Sequence, residues 1–221
     1  MNISEAMKQR HSVRSYSPKT IEGDTLQALE DVISECNKES GLHIQLVTNE
    51  PKAFDSTMAH YGNFSGVTNY IALIGKKSEK LEELCGYYGE KIVLEAQRLG
   101  LNTCWVALTY KKVPNAFTIA AGEKLAVVIA VGYGNTAGVA HKSKETSEVS
   151  NLSSSSPDWF RAGVEAALLA PTAMNQQKFR LEFVGDKVSA KAGLGFYTKM
   201  DLGIVKYHFE LGSGKDNSIW K

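Results

Sequence analysis

Apolar positions follow two rhythms along this chain, one of helical spacing and one of alternation or short continuous runs. Ile3 and Met7 lie four apart behind Asn2, a capping residue with Glu5 three places on, which predicts a short first helix. That helix should end by "RHSVRSYSP", because Pro18 disfavours helical backbone at Ser17. A second helix is expected from Asp24 as its cap, with Leu26, Leu29, Val32 and Ile33 as its stripe. "LHIQLV" (residues 42–47) alternates and reads as a half-buried strand, and "NYIALIG" (69–75) as another. Residues 78–100 form a long helix stopped by a glycine, and the nearly continuous apolar run 124–134 predicts a central strand covered on both faces.

After that run, "HKSKETSEVSNLSSSSPDW" is polar and rich in serine, the one clear linker. The pattern then restarts. Ser156 and Pro157 begin a helix with Pro at its first position, and Phe160, Val164, Ala167 and Leu168 supply the stripe. Pro171 closes it, and "RLEFVG" follows as an alternating strand. Two segments then match in order: "GEKIVLEAQRLGLNTCW" and "GIVKYHFELGSGKDNSIW" each carry an amphipathic helix, a Leu-Gly stop, a polar turn and a Trp. Two readings fit: a degenerate internal duplication, or two unrelated helices that both end in Leu-Gly. The first divides the chain into residues 1–142, a linker at 143–156, and a shorter half at 157–221. Either way the class is α+β, an antiparallel or mixed sheet flanked by helices.

Charge narrows the partners. A formal net charge of +1 over 221 residues offers no basic face for nucleic acid. No apolar run approaches the length that spans a bilayer, and the N-terminus lacks the apolar core of a signal peptide, so a soluble, cytoplasmic protein is expected. Cys36, Cys85 and Cys104 are unclustered and read as buried thiols, not as a disulfide frame or a metal site.

Four stretches carry candidate chemistry. "RHSVR" gathers Arg10, His11, Ser12 and Arg14, either a solvated turn or a cup of guanidinium and hydroxyl donors for an anion. "APTAMNQQKF" places Thr172, Ala173, Asn175 and Gln177 between a helix and a strand; Asn and Gln are common in turns, and they also suit the edge of an amide-like heterocycle. "GLNTCWVALTY" holds Val106 and Ala107, in a core strand or in a backbone segment that meets a flat ring. Lys142 and Lys144 follow the central run, and exposed lysines there are ordinarily just solvated.

In this order "RHSVRSY", an "APTxxNxQ" loop, "GLNTCW" and a "VGYG…HKSK" exit resemble the nitroreductase family of FMN-dependent oxidoreductases, over nearly the whole chain. One departure stands out. The proline-Asn-Gln loop belongs in the same copy as the Arg/Ser motif, whereas here that place reads "SECNKESGLHIQLV" and the loop occurs only after the linker. This is similar to a subgroup in which one chain carries both halves, a monomer acting as a pseudo-dimer that completes one flavin site. The resemblance then implies that Arg10, His11, Ser12 and Arg14 hold phosphate and ribityl, with Lys142 and Lys144 assisting. Thr172, Ala173, Asn175 and Gln177 come from the other half, and Val106 and Ala107 offer backbone near the ring.

The same resemblance implies FMN as cofactor, a nicotinamide, NADH or NADPH, as donor, and nitroaromatic or quinone-like acceptors in ping-pong chemistry. No nucleophile, acid–base pair or metal-ligand set is evident, so no catalytic side chain and no metal are expected. The rival readings are a flavin sensor or carrier without turnover, and a structural relic that binds no flavin.

Overall fold

The structure, a computed structural model, describes residues 1–221 as two compact units. One comprises residues 9–81 and 91–140; the other comprises 1–8, 82–90 and 141–221.

The first unit is built on a four-stranded antiparallel sheet. Its strands are β1 (Gln45–Val47), β2 (Tyr70–Lys76), β3 (Asn102–Val106) and β4 (Glu123–Gly132), in the spatial order β1-β2-β4-β3. The apolar runs predicted for β2 and β4 are the central pair, with Ala72 opposite Val128 and both buried. Tyr70, Phe54, Phe64, Val13, Tyr16, Cys104 and Ala130 share one core under it. Helix α2 (Gly23–Ser40) covers part of this unit. Its cap is Glu22, not Asp24 as the sequence suggested: Gly23 takes φ +58° and turns the chain into the helix two residues early. Asp24 instead lies in the first turn, where its charge suits the positive end of the helix.

The strand expected at 42–47 is cut to three residues. The Asn37 side chain takes both backbone groups of Ile44, at 2.8 and 2.7 Å, which removes that residue from the ladder. A short helix, α3 (Thr57–Tyr61), was not legible in the periodicity.

In the second unit, α1 (Ile3–Gln9, through Lys8) opens with the predicted Asn2–Glu5 pair: each side chain accepts from the other residue's backbone N–H at 2.9 Å. Helix α4 (Leu81–Arg98) contributes residues 82–90. The serine-rich stretch 143–156 contains a four-residue helix, α5 (Thr146–Val149), and pairs Ser150 with Leu181. Helix α6 (Asp158–Ala167) has Pro157 at its cap, one position outside the expected place. The hairpin β5 (Phe179–Val184) and β6 (Lys187–Ala192) turns at Gly185, φ +69°, and helix α7 (Thr198–Ser213) follows. Strand β6 was missed because "KVSAKA" carries one bulky apolar residue, Val188.

The Leu-Gly parallel does not survive at the helix ends. In α4 the helix stops at Leu99 and Gly100, but Leu211 and Gly212 lie inside α7, which ends at Gly214 with φ +66°. Gly212 is needed for another reason: a Cβ there would strike Ala166 and the Ala162 carbonyl of α6. A different correspondence takes its place. A Cβ on Gly86 of α4 would collide with Met200 and Ile204 of α7, and one on Gly203 would collide with Glu83 and Tyr87 of α4. The offsets, three before and one after, are the same in both directions, so the two helices cross backbone against backbone in a reciprocal contact. Around it His208 and Glu90 meet at 2.9 Å, both fully buried, and Glu210 accepts from the Tyr87 hydroxyl and the Trp220 indole at 2.6 Å each.

Candidate functional site

The predicted site residues fall into two sets, one in each unit. In the unit of residues 9–81 and 91–140 lie Arg10, His11, Ser12, Arg14, Val106 and Ala107; in the other lie Lys142, Lys144, Thr172, Ala173, Asn175 and Gln177.

The segment 10–17 is seated as an extra strand. Ser12 bridges Thr103 of β3, Val13 N donates to Thr103 O at 3.0 Å, and Tyr16 bridges Gly134. Val13 and Tyr16 point into the core, which fixes the orientation of the residues between and beside them. Arg10 is 3% exposed, unusual for a guanidinium, and Arg14 remains exposed with its guanidinium 5.9 Å from the Phe64 ring. Burial pushes the Cys104 thiol up, while Arg14, the Ser12 hydroxyl and Arg10 pull it back. A chain excursion covers the stretch: a Cβ on Gly138, whose φ is +73°, would lie 2.7 Å from His11 Cβ and 3.1 Å from Ser12 O. Val106 is buried at the end of β3, and Ala107 is the first residue past the ladder.

Two guanidinium groups, a hydroxyl and an imidazole within five residues, with no carboxylate among them, form a donor set suited to an anion. Sequence reasoning missed Gly138, whose close approach to His11 and Ser12 has no local signal.

The second set is a loop held together by its own polar groups. Gln177 is 3% exposed, and its side chain donates to Lys142 O and Asn175 Oδ1, at 2.9 and 2.8 Å, while accepting from Lys144 N at 2.9 Å. The Asn175 amide also reaches Lys142 O at 2.9 Å, and the Lys144 ammonium donates to Gln177 O at 3.1 Å. Thr172 Oγ1 accepts from Gln177 N at 3.0 Å. Lys142 therefore enters this network through its carbonyl, and Lys144 through its backbone and its ammonium.

The backbone here is strained. Met174, Asn175 and Gln177 take φ of 50°, 53° and 44°, the left-handed region. Asn tolerates it; for Met and Gln each such residue costs roughly 1–2 kcal/mol. Nothing apolar repays this, since Met174 is 90% exposed. Two further residues hold the loop, Asp201 and Gln176: Asp201 of α7 accepts from Ala173 N at 2.9 Å and from the Gln176 amide at 2.8 Å. In the sequence Asp201 is only an acidic residue near a helix start. No group of three or more His, Cys, Asp or Glu is placed to hold a metal ion, and no helix is long and apolar enough to cross a membrane.

The family model described as "Putative TM nitroreductase" matches residues 2–213. The chain belongs to this nitroreductase family, a family of oxidoreductases. Among solved structures, one described as a "putative nitroreductase" from Thermotoga maritima is 23% identical, with TM-score 0.67, covering 96% of this chain and 83% of its own. A "putative nitroreductase in complex with FMN" from Desulfovibrio desulfuricans is 13% identical, TM-score 0.53, covering 71% of this chain and 99% of its own. A nitroreductase family protein from Streptococcus pneumoniae is 14% identical, TM-score 0.54, covering 67% and 98%. These likenesses agree with the expected α+β, nitroreductase-like fold. No curated protein matches the chain.

Proposed function

We propose that the protein is an FMN-dependent NAD(P)H oxidoreductase that reduces nitroaromatic or quinone-like acceptors in a ping-pong cycle. The observation that carries this reading is the buried Arg10 guanidinium beside Ser12 and Arg14, in a chain of the nitroreductase family. Family relatives crystallised with FMN support the choice of cofactor.

A bound FMN would supply the redox chemistry that links a nicotinamide donor to the acceptor. The chain's own contribution is placement. Arg10 and Arg14 offer forked, permanently charged donors to a phosphate dianion, and Ser12 adds a hydroxyl. His11 stands beside them for the polyol. Ala107, past the end of β3, offers backbone N–H near a ring, with Val106 as its buried anchor. In the other unit Thr172, Ala173 and Asn175 present polar groups to the heterocycle, with Gln177, Lys142 and Lys144 fixing the loop that carries them. No side chain is assigned a proton-transfer role.

The same proposal includes an internal duplication, with halves at 1–142 and 157–221 joined by 143–156, and one FMN per chain. The reciprocal crossing at Gly86 and Gly203 supports it, because identical offsets in both directions are what a local two-fold axis produces.

The visible spectrum of the purified protein, before and after FMN titration, tests the reading. Arg10→Ala should weaken FMN binding about 30- to 100-fold, the worth of a desolvated charge-assisted contact. Arg14→Ala should weaken it less, being exposed, and Asn175→Ala also less. Absence of FMN binding by the unaltered protein would overturn the proposal. Tight binding without NADH or NADPH oxidation would leave a flavin carrier.

A further inference from the structure

We propose that Asp201 is a positioning residue: it holds the Thr172–Gln177 loop in its left-handed conformation and so sets where Asn175 is presented. Its last step, the consequence for FMN, rests on the flavin reading above; the rest does not.

The geometry is that of a clamp. One carboxylate oxygen accepts the Ala173 N–H and the other accepts the Gln176 amide, at 2.9 and 2.8 Å. The two anchor points straddle Met174 and Asn175, whose backbone is left-handed. The Gln176 amide also donates to Phe196 O at 2.8 Å, which ties the segment before α7 to the same point. Residues 173–176 make only a single irregular turn, so their shape is not maintained by regular secondary structure.

Asp201 is a poor choice if stability alone is served. It is 3% exposed, and burial pushes its carboxyl up from 3.8 to about 6, against the pull of its two donors. The titratable groups on the elements around it include Tyr197 and Lys199 at the start of α7, Lys178 beside Gly193 and Gly195, Tyr87 and Glu83 of α4, the latter paired with Lys206, and Glu90, which pairs with His208. A carboxyl raised in the folded chain gives its stabilisation in full below the unfolded value of 3.8 and loses it as pH rises through about 6. At pH 8 the buried charge therefore works against the fold. What it supplies in return is two charge-assisted hydrogen bonds to a strained loop.

Asp201→Asn is nearly isosteric and separates the two roles. Its oxygen can still accept from Ala173, but its NH2 faces that of Gln176. At pH 8 the variant should melt at or above the temperature of the unaltered protein, with that advantage fading as pH falls to 4. Amide exchange at residues 173–177, followed by mass spectrometry in the cofactor-free protein, should become about tenfold faster. FMN affinity should fall about tenfold. Gln176→Ala, which removes one arm and keeps the acid, should speed exchange at 173–177 while preserving the pH profile of melting.

A variant that melts lower at pH 8 with unchanged exchange at 173–177 would make Asp201 merely structural and overturn the proposal. So would faster exchange with FMN affinity unaltered. If the unaltered protein binds no FMN, the flavin reading fails alone, and melting and exchange still decide whether Asp201 positions the loop.

Discussion

The segment Arg10–Tyr16 and the loop Thr172–Gln177 hold polar groups ready by opposite means. The first borrows the order of its surroundings. Val13 and Tyr16 are sunk in the core, the backbone bridges Thr103 and Gly134, and the donors follow wherever those anchors place them. The second has no apolar anchor between Thr172 and Gln176, keeps three non-glycine residues left-handed, and is held by the hydrogen bonds that Gln177 exchanges with Lys144 and that Asp201 accepts from Ala173 and Gln176. A segment set by packing fails only when the core fails. A segment set by a polar clamp can loosen alone, at a free energy well below that of global unfolding.

That contrast can be broken most sharply at Gln177. Gln177→Ala removes the hub that serves Lys142, Lys144 and Asn175, taking away three side-chain hydrogen bonds, and should cost about 3 kcal/mol. Amide exchange should accelerate at 142–144 and 173–177 while residues 12–16 keep their protection. Uniform acceleration at both places would show that they open as one. Val13→Ala should produce the reverse pattern with a smaller effect. It empties part of the core, lowers global stability by about 2 kcal/mol in a denaturant melt, and leaves the relative protection of 173–177 unchanged. The smallest effect is a gain. Met174→Gly relieves the left-handed strain at an exposed position, offset by the greater freedom of glycine in the unfolded chain, and should stabilise by at most about 1 kcal/mol. A loss there would mean that the Met174 side chain makes a contribution its exposure hides.

The same contrast explains what could be read from sequence. Arg10, Ser12 and Arg14 drew notice because their chemistry is adjacent in the chain, and the apolar runs of β2 and β4 identified the central strands directly. Asn2 and Glu5 announced α1 because a capping box is a local bargain between two residues. What was illegible depended on distant neighbours. Asn37 shortened β1 from seven residues away, Gly212 packs on α6 instead of ending α7, and β6 exists because β5 pairs with it. Asp201 lies 28 residues from the Ala173 N–H that it accepts, and no spacing rule connects them. The loop motif was visible as a row of polar residues, but its left-handed backbone was not, since neither Met nor Gln signals that conformation.

The three cysteines, finally, furnish the molecule with its own opening clock. All are buried thiols, Cys36 and Cys104 in one unit and Cys85 in the other, and burial pushes the Cys36 thiol up to about 12. A thiolate is what alkylating reagents attack, so in the closed protein burial shields each sulfur sterically, and Cys36 and Cys104 are shielded by protonation as well. Modification at each position therefore records an excursion of its own neighbourhood, and peptide mapping after a timed pulse would give a separate rate for each unit from the unaltered chain, with no probe introduced.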